Sequence, residues 1–194
     1  MTIIDGVLTS ATPCPSDNHN ERPEGTEVSL LVIHNISLPA GCFGTGHIHR
    51  LFQNKLDCTA DESFEELQGL EVAAHLLIER DGTVTQFVNF NQRAWHAGDS
   101  AFRGVEACND YSIGIELEGC DDQPYELEQY NVLADIAAQL VLTYPAITPD
   151  RIAGHNDIAP GRKTDPGEAF DWSMFRRLLA TRLIRAHLRE HGSI

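Results

Sequence analysis

Apolar and polar positions along the chain fall into stretches with distinct periods. Ser29-Leu30-Leu31-Val32-Ile33-His34 is a short continuous apolar run, the pattern of a strand covered on both faces, and it ends on a histidine. His75 to Arg80 and Thr83 to Val88 flank Asp81-Gly82, which predicts a β-hairpin closed by a two-residue turn. From Tyr111 to Gly119 the pattern alternates. Ile113, Ile115 and Leu117 take one side of a strand, and Ser112, Gly114, Glu116 and Glu118 take the other.

Two later segments have helical spacing. Leu127, Tyr130, Leu133, Ala134, Ala137, Leu140 and Val141 mark a helix over 126–143 that Pro145 terminates. Asp171 is the expected N-cap of a last helix that buries Trp172, Phe175, Leu179 and Leu183, with its arginines facing outward. Residues 35–60 read as a long loop carrying at most a short helix, and loops of that length are often functional. Strands and helices are interspersed without strict alternation. The expected fold is therefore α/β (mixed α+β), a single domain with a central mixed sheet flanked by helices. An irregular N-terminal segment, 1–27, precedes the main domain, 28–190.

Composition narrows the function. A chain of 194 residues, 42% hydrophobic and 22% charged, has the balance of one globular domain, and no apolar run approaches the roughly 20 residues of a membrane span. The net charge is −15, which argues against binding nucleic acid through its phosphates. That charge is uneven, −18 over residues 1–150 and +3 over 151–194. The N-terminus has no basic residue ahead of an apolar run, so no secretory signal is expected. Five cysteines without a C-x-x-C pair fit free thiols in a reducing compartment, and the protein is expected to be cytoplasmic, monomeric and free of membrane contact.

Candidate chemistry concentrates in few places. The Pro/Gly-rich segment 154–167 presents His155, Lys163 and Asp165 on a loop. With His34 it offers two imidazoles and a carboxylate, the donor set of an open zinc site with three ligands at about 2.0 to 2.2 Å. A histidine ending an apolar strand is more often a core or turn residue, so this assignment competes with a structural one. Glu116 and Glu118 share a strand face about 6.5 to 7 Å apart at the backbone. The pair could seat a general base, although a solvent-facing strand side is the plainer reading of Glu118. Lys163 could stabilise an oxyanion or simply be solvated. His19, His47, His49, His187 and His191 are expected to be solvated, and His75 and His96 could support a site from behind it.

Four strings carry a resemblance: V-I-H-N-I-S-L-P (32–39), R-A-W-H-A-G (93–98), C-N-D-Y-S-I-G-I-E-L-E-G (108–119) and G-H-N-D-I-A-P-G-R-K-T-D-P-G (154–167). In order and spacing the chain resembles the cytosolic zinc amidases of bacterial cell-wall recycling, which act on 1,6-anhydro-N-acetylmuramoyl-L-alanine compounds. The resemblance implies the mixed-sheet fold shared with phage amidases and peptidoglycan recognition proteins. It also implies zinc held by His34, His155 and Asp165, Glu116 as proton acceptor and Lys163 as transition-state stabiliser. Asn35, Trp95, His96 and Asn109 would line the cleft for an anhydro-muropeptide, with no organic cofactor. The chain departs from the family at Glu71 and Ala107, where members carry arginines that grip the stem peptide. Two rival readings remain: a recognition module without catalysis, and a glycosidase using Glu116 with Glu118.

Overall fold

The computed structural model describes residues 1–190 and 192; His191 lies outside them. A six-stranded sheet forms the centre. Its strands in chain order are β1 (Thr12–Pro13), β2 (Leu30–Ile36), β3 (Leu76–Ile78), β4 (Val84–Gln86), β5 (Ser112–Glu118) and β6 (Ile152–Gly154). Across the sheet they lie in the order β6-β2-β5-β3-β4-β1. The first four of these run parallel, β4 is antiparallel to β3, and β1 lies parallel to β4 at the edge. The helices are α1 (His47–Phe52), α2 (Leu127–Thr143), α3 (His155–Ile158) and α4 (Trp172–Glu190).

Alternation along β2 and β5 sorts their side chains onto two faces. Leu31, Ile33, Ile113, Ile115 and Leu117 point toward α2 and α4 and join Leu133, Ile136, Phe175 and Leu179 in the main core. Leu30 and Val32 point the other way, against Ala97, Cys108, Tyr111 and Ile158. A third cluster packs α1 and Phe87 beneath Leu77. Both faces are covered, which is why β2 reads as an unbroken apolar run. Helix α2 is tied to the sheet by buried Gln129. Its side chain accepts from the Glu126 N–H at 3.1 Å and donates to the carbonyls of Ile78 and Glu118. Asp171 caps α4, accepting the Met174 N–H at 2.8 Å.

Three local expectations are corrected. The β3–β4 hairpin closes with three residues instead of two. The Glu79 N–H reaches the Thr83 carbonyl at 2.9 Å, and of Asp81 and Gly82 only the glycine is left-handed, at φ +86°. Glu118 is not on a solvent-facing strand side. It is 3% exposed, and its carboxylate accepts the backbone N–H groups of Gly44 and Arg80. His19, His47 and His49 are partly buried, and the His49 ring lies 3.2 Å from the Thr85 hydroxyl.

Residues 1–27 are irregular but built into the same body. Thr12–Pro13 extends the sheet at its edge, the position where a proline's missing N–H is tolerated. His19–Asn20 pairs with Arg93–Ala94. Arg22 reaches inward and donates to the carbonyls of Phe90, Asn109, Asp110 and Ser112.

Candidate metal and active site

In-register pairing builds the site. Strand β5 pairs with β2 so that Glu116 lies opposite His34, and Gly154, the last residue of β6, lies opposite Ile33. His34, Glu116 and His155 therefore meet at the carboxyl ends of three adjacent parallel strands, where open α/β sheets place their ligands. Asp165 arrives from the loop after α3. The Asn156 N–H donates to the Asp165 carbonyl at 2.9 Å, which folds that loop back onto His155.

Three donor atoms converge. His34 Nδ1, His155 Nδ1 and Asp165 Oδ2 lie 3.0 Å from one another. The edge of a tetrahedron with zinc-like bonds is about 3.3 Å, so the triangle is of the size a small divalent cation requires. Proton accounting supports this. His155 Nε2 lies 3.0 Å from the Ala97 carbonyl oxygen, which can only accept, so Nδ1 of a neutral His155 presents a lone pair. Burial holds His34 at about 4, against the opposing hydrogen bond to Asp165. Burial would push the Asp165 carboxyl up, but the His155 and His34 rings packed against it outweigh that and hold the group far below the usual carboxylate range. Two imidazoles and an ionised carboxylate aimed at one point are a metal's donor set, and His34, His155 and Asp165 fit a cation.

Glu116 stands beside this cluster, on the strand face of Gly114 and Ser112. It is buried, and its Oε2 has no hydrogen-bond partner among the described residues. Desolvation and the charge of Asp165 hold its carboxyl well above the usual range, with Lys163 pulling the other way. Lys163 is exposed, its backbone N–H bound to the Ala159 carbonyl at 3.0 Å. All five residues line a cleft of about 630 Å³. A neighbouring hollow of about 780 Å³ shares Gly98, Asn109 and Arg162 with it.

The family profile described as N-acetylmuramoyl-L-alanine amidase matches residues 24–168. The chain belongs to the N-acetylmuramoyl-L-alanine amidase family. This amidase is 51% identical over 181 residues to the 1,6-anhydro-N-acetylmuramyl-L-alanine amidase AmpD of Enterobacter cloacae, covering 93% of its own chain and 96% of that protein. A crystal structure of a selenomethionine AmpD derivative superposes with a TM-score of 0.90 at 49% identity, covering 92% of the amidase and 99% of that chain. The amidase AmiD of E. coli, solved with anhydro-N-acetylmuramic acid-L-Ala-D-γ-Glu-L-Lys, gives a TM-score of 0.57 at 28% identity, covering 84% and 66%.

The four residues assigned to the amidase's cleft lining are also brought to it, in different states. Asn35 donates to Asp121 Oδ1 at 2.8 Å, and Trp95 Nε1 donates to Asn20 Oδ1 at 2.7 Å. The ring nitrogens of His96 and the Oδ1 of Asn109 are turned toward protein. His96 Nδ1 lies 2.9 Å from His34 Nε2, and Asn109 Oδ1 accepts the N–H groups of His96 and Ala97. His75 sits deeper, fully buried and pushed down to about 3 by burial, accepting the Gly114 N–H and facing the Gln92 carbonyl. Glu118 does not line the cleft, which leaves the paired-carboxylate glycosidase without its second group. Glu71 is exposed in the cleft wall and Ala107 in the adjoining hollow, so neither supplies a cation. Sequence reasoning missed Arg22, Ser112 and Asp121. Only Ser112 carried a signal, as a small polar residue on the Glu116 face.

Proposed function

We propose that the chain is a zinc amidase of peptidoglycan recycling. It hydrolyses the amide between the lactyl group of 1,6-anhydro-N-acetylmuramic acid and the L-alanine of the stem peptide, on soluble muropeptides in the cytoplasm. The observation that carries this is the triangle of His34, His155 and Asp165 with the unpartnered Glu116 carboxylate beside it. The AmpD relatives, which are 1,6-anhydro-N-acetylmuramyl-L-alanine amidases, and the ligand in the AmiD structure support the substrate class. Among the described residues no helix is long and apolar enough to cross a membrane.

His34, His155 and Asp165 would hold the zinc. When bound, zinc polarises the scissile carbonyl and makes water a competent nucleophile at neutral pH. Glu116, in the cleft wall beside the cluster, accepts the proton of the attacking water and passes it to the departing alanine amine. Lys163 brings its ammonium to the cleft mouth, where the negative charge developing on the carbonyl oxygen is stabilised. Burial of His34, His155 and Glu116 strengthens each of these interactions by excluding water. Trp95 offers an aromatic surface on the cleft wall for the apolar side of the substrate.

Mass spectrometry of products from anhydro- and non-anhydro-muropeptides tests the reading, with the protein as purified, chelated and resupplied with zinc. Free stem peptide beginning at L-alanine, lost on chelation and restored by zinc, is expected. Cleavage between sugars, or turnover indifferent to chelation, would refute it.

A further inference from the structure

One two-residue stretch receives the outer nitrogens of both cluster histidines. His155 Nε2 donates to the Ala97 carbonyl oxygen at 3.0 Å, and His34 Nε2 lies 2.9 Å from His96 Nδ1. For His34 to turn a bare Nδ1 toward Asp165 and His155, its proton must sit on Nε2, and His96 Nδ1 must accept it. His96 then carries its own proton on Nε2, which lies 3.1 Å from the hydroxyl of Ser112, a fully buried residue. The stretch is itself clamped. Asn109 Oδ1 accepts the N–H of His96 at 3.2 Å and that of Ala97 at 2.8 Å. Arg22 in turn ties down the carbonyls of Asn109 and Ser112. Strand β5 makes room for the imidazole with a glycine: a Cβ on Gly114 would come within 2.5 Å of His96 Nδ1.

We propose that His96, with Ala97 and Asn109, is the positioning element of the metal centre, setting the tautomer and ring orientation of His34 and His155 together. This rests on the metal reading above. Both ring nitrogens of His96 are committed, to His34 and to Ser112, so it acts through the ligand histidines and not by hydrogen-bonding substrate. Because one stretch holds both rings, a shift at 96–97 turns both Nδ1 atoms away from Asp165 at once. Partners of this kind behind a metal-binding histidine are worth about 10- to 100-fold in metal affinity.

The test titrates zinc alone, by competition with a chromogenic chelator, into wild type, His96→Leu, His96→Asn and Ser112→Ala, and measures KM for a muropeptide at saturating zinc. His96→Leu should weaken zinc binding by about 10- to 100-fold, with KM within about twofold. His96→Asn places an amide oxygen near the position of Nδ1 and should recover most of that loss. Ring ¹⁵N shifts of the zinc-loaded wild type should show Nε2–H tautomers at His34 and His155. Zinc affinity in His96→Leu equal to wild type, or an unchanged affinity with a raised KM, overturns the proposal in favour of a substrate contact. Should His96→Leu not fold, Ser112→Ala keeps the question open to measurement. It removes only the far acceptor, so a few-fold loss of zinc affinity supports the relay and none refutes it. A wild type that takes up no zinc would instead bring down the metal reading itself.

Discussion

Replacing Glu116 by glutamine changes one oxygen to an amide nitrogen in a buried pocket and leaves shape and volume nearly intact. Two consequences of opposite sign follow. Glu116 is the buried carboxylate that lines the cleft beside the metal cluster without a hydrogen-bond partner on Oε2 among the described residues. General base catalysis contributes about 10²- to 10⁴-fold, and kcat should fall by that factor, equivalent to about 3 to 5 kcal/mol of transition-state stabilisation. KM and zinc content should hardly change, because Glu116 is outside the donor triangle. The metal-free protein should become more stable. Burial and the charge of Asp165 hold the folded carboxyl well above its ordinary value of 4.5, so the unfolded chain ionises first as pH rises. The contribution of Glu116 to wild-type stability is therefore lost as pH climbs through and beyond 4.5, whereas the glutamine variant has no proton to lose there. The variant should melt higher at pH 7 and match wild type below about pH 4. Steady-state kinetics on an anhydro-muropeptide, metal analysis and melting curves of the chelated proteins read all three effects. A kcat within tenfold of wild type at full zinc occupancy would refute Glu116 as the base. A lower melting temperature at pH 7 would refute the cost assigned to its burial.

Further outcomes are expected elsewhere in the site. Asp165→Ala should lose both zinc and activity, measured by metal analysis and turnover, because three ligands are the minimum of an open catalytic centre. Lys163→Ala should lower kcat by about 10- to 100-fold with little change in KM, since oxyanion charge develops only in the transition state. Glu118→Gln should cost about 1 to 3 kcal/mol in denaturant unfolding by weakening its bonds to the Gly44 and Arg80 N–H groups, yet leave kcat within a few fold. Acid should destabilise the metal-free protein. His34 is held by burial at about 4 when folded and returns to 6.5 when unfolded, so the unfolded state binds the proton first and stability falls as pH drops from 6.5 toward 4. In the Glu116→Gln variant, where the opposing titration of Glu116 is removed, a melting temperature flat across that window would contradict the buried neutral imidazole.

Much of the fold is legible because its signals are periodic and local. The apolar run before His34, the alternation from Ser112 to Glu118 and the spacing of α2 and α4 each register within a single element. The loop holding His155, Lys163 and Asp165 stands out because Pro and Gly set polar residues apart from any packed stripe. Register is what the chain cannot display. Nothing in the order of residues shows that β5 slides against β2 until Glu116 faces His34, a pairing that joins distant segments. The burial of Glu118 fails to show for the same reason, since its partners, Gly44 and Arg80, come from separate loops. Two-residue strands such as Thr12–Pro13 are too short to establish a period, and so the N-terminal segment reads as irregular although it closes one edge of the sheet. Arg22 reads as a surface charge until its four carbonyl partners, drawn from residues 90 to 112, are brought around it.

The reading of the centre as a three-ligand zinc site is tested most directly by anomalous diffraction at the zinc edge from crystals of the active protein. A single strong peak about 2.0 to 2.2 Å from His34 Nδ1, His155 Nδ1 and Asp165 Oδ2 is the expected result. A peak coordinated through other atoms, or none in crystals that still turn over muropeptide, would contradict it.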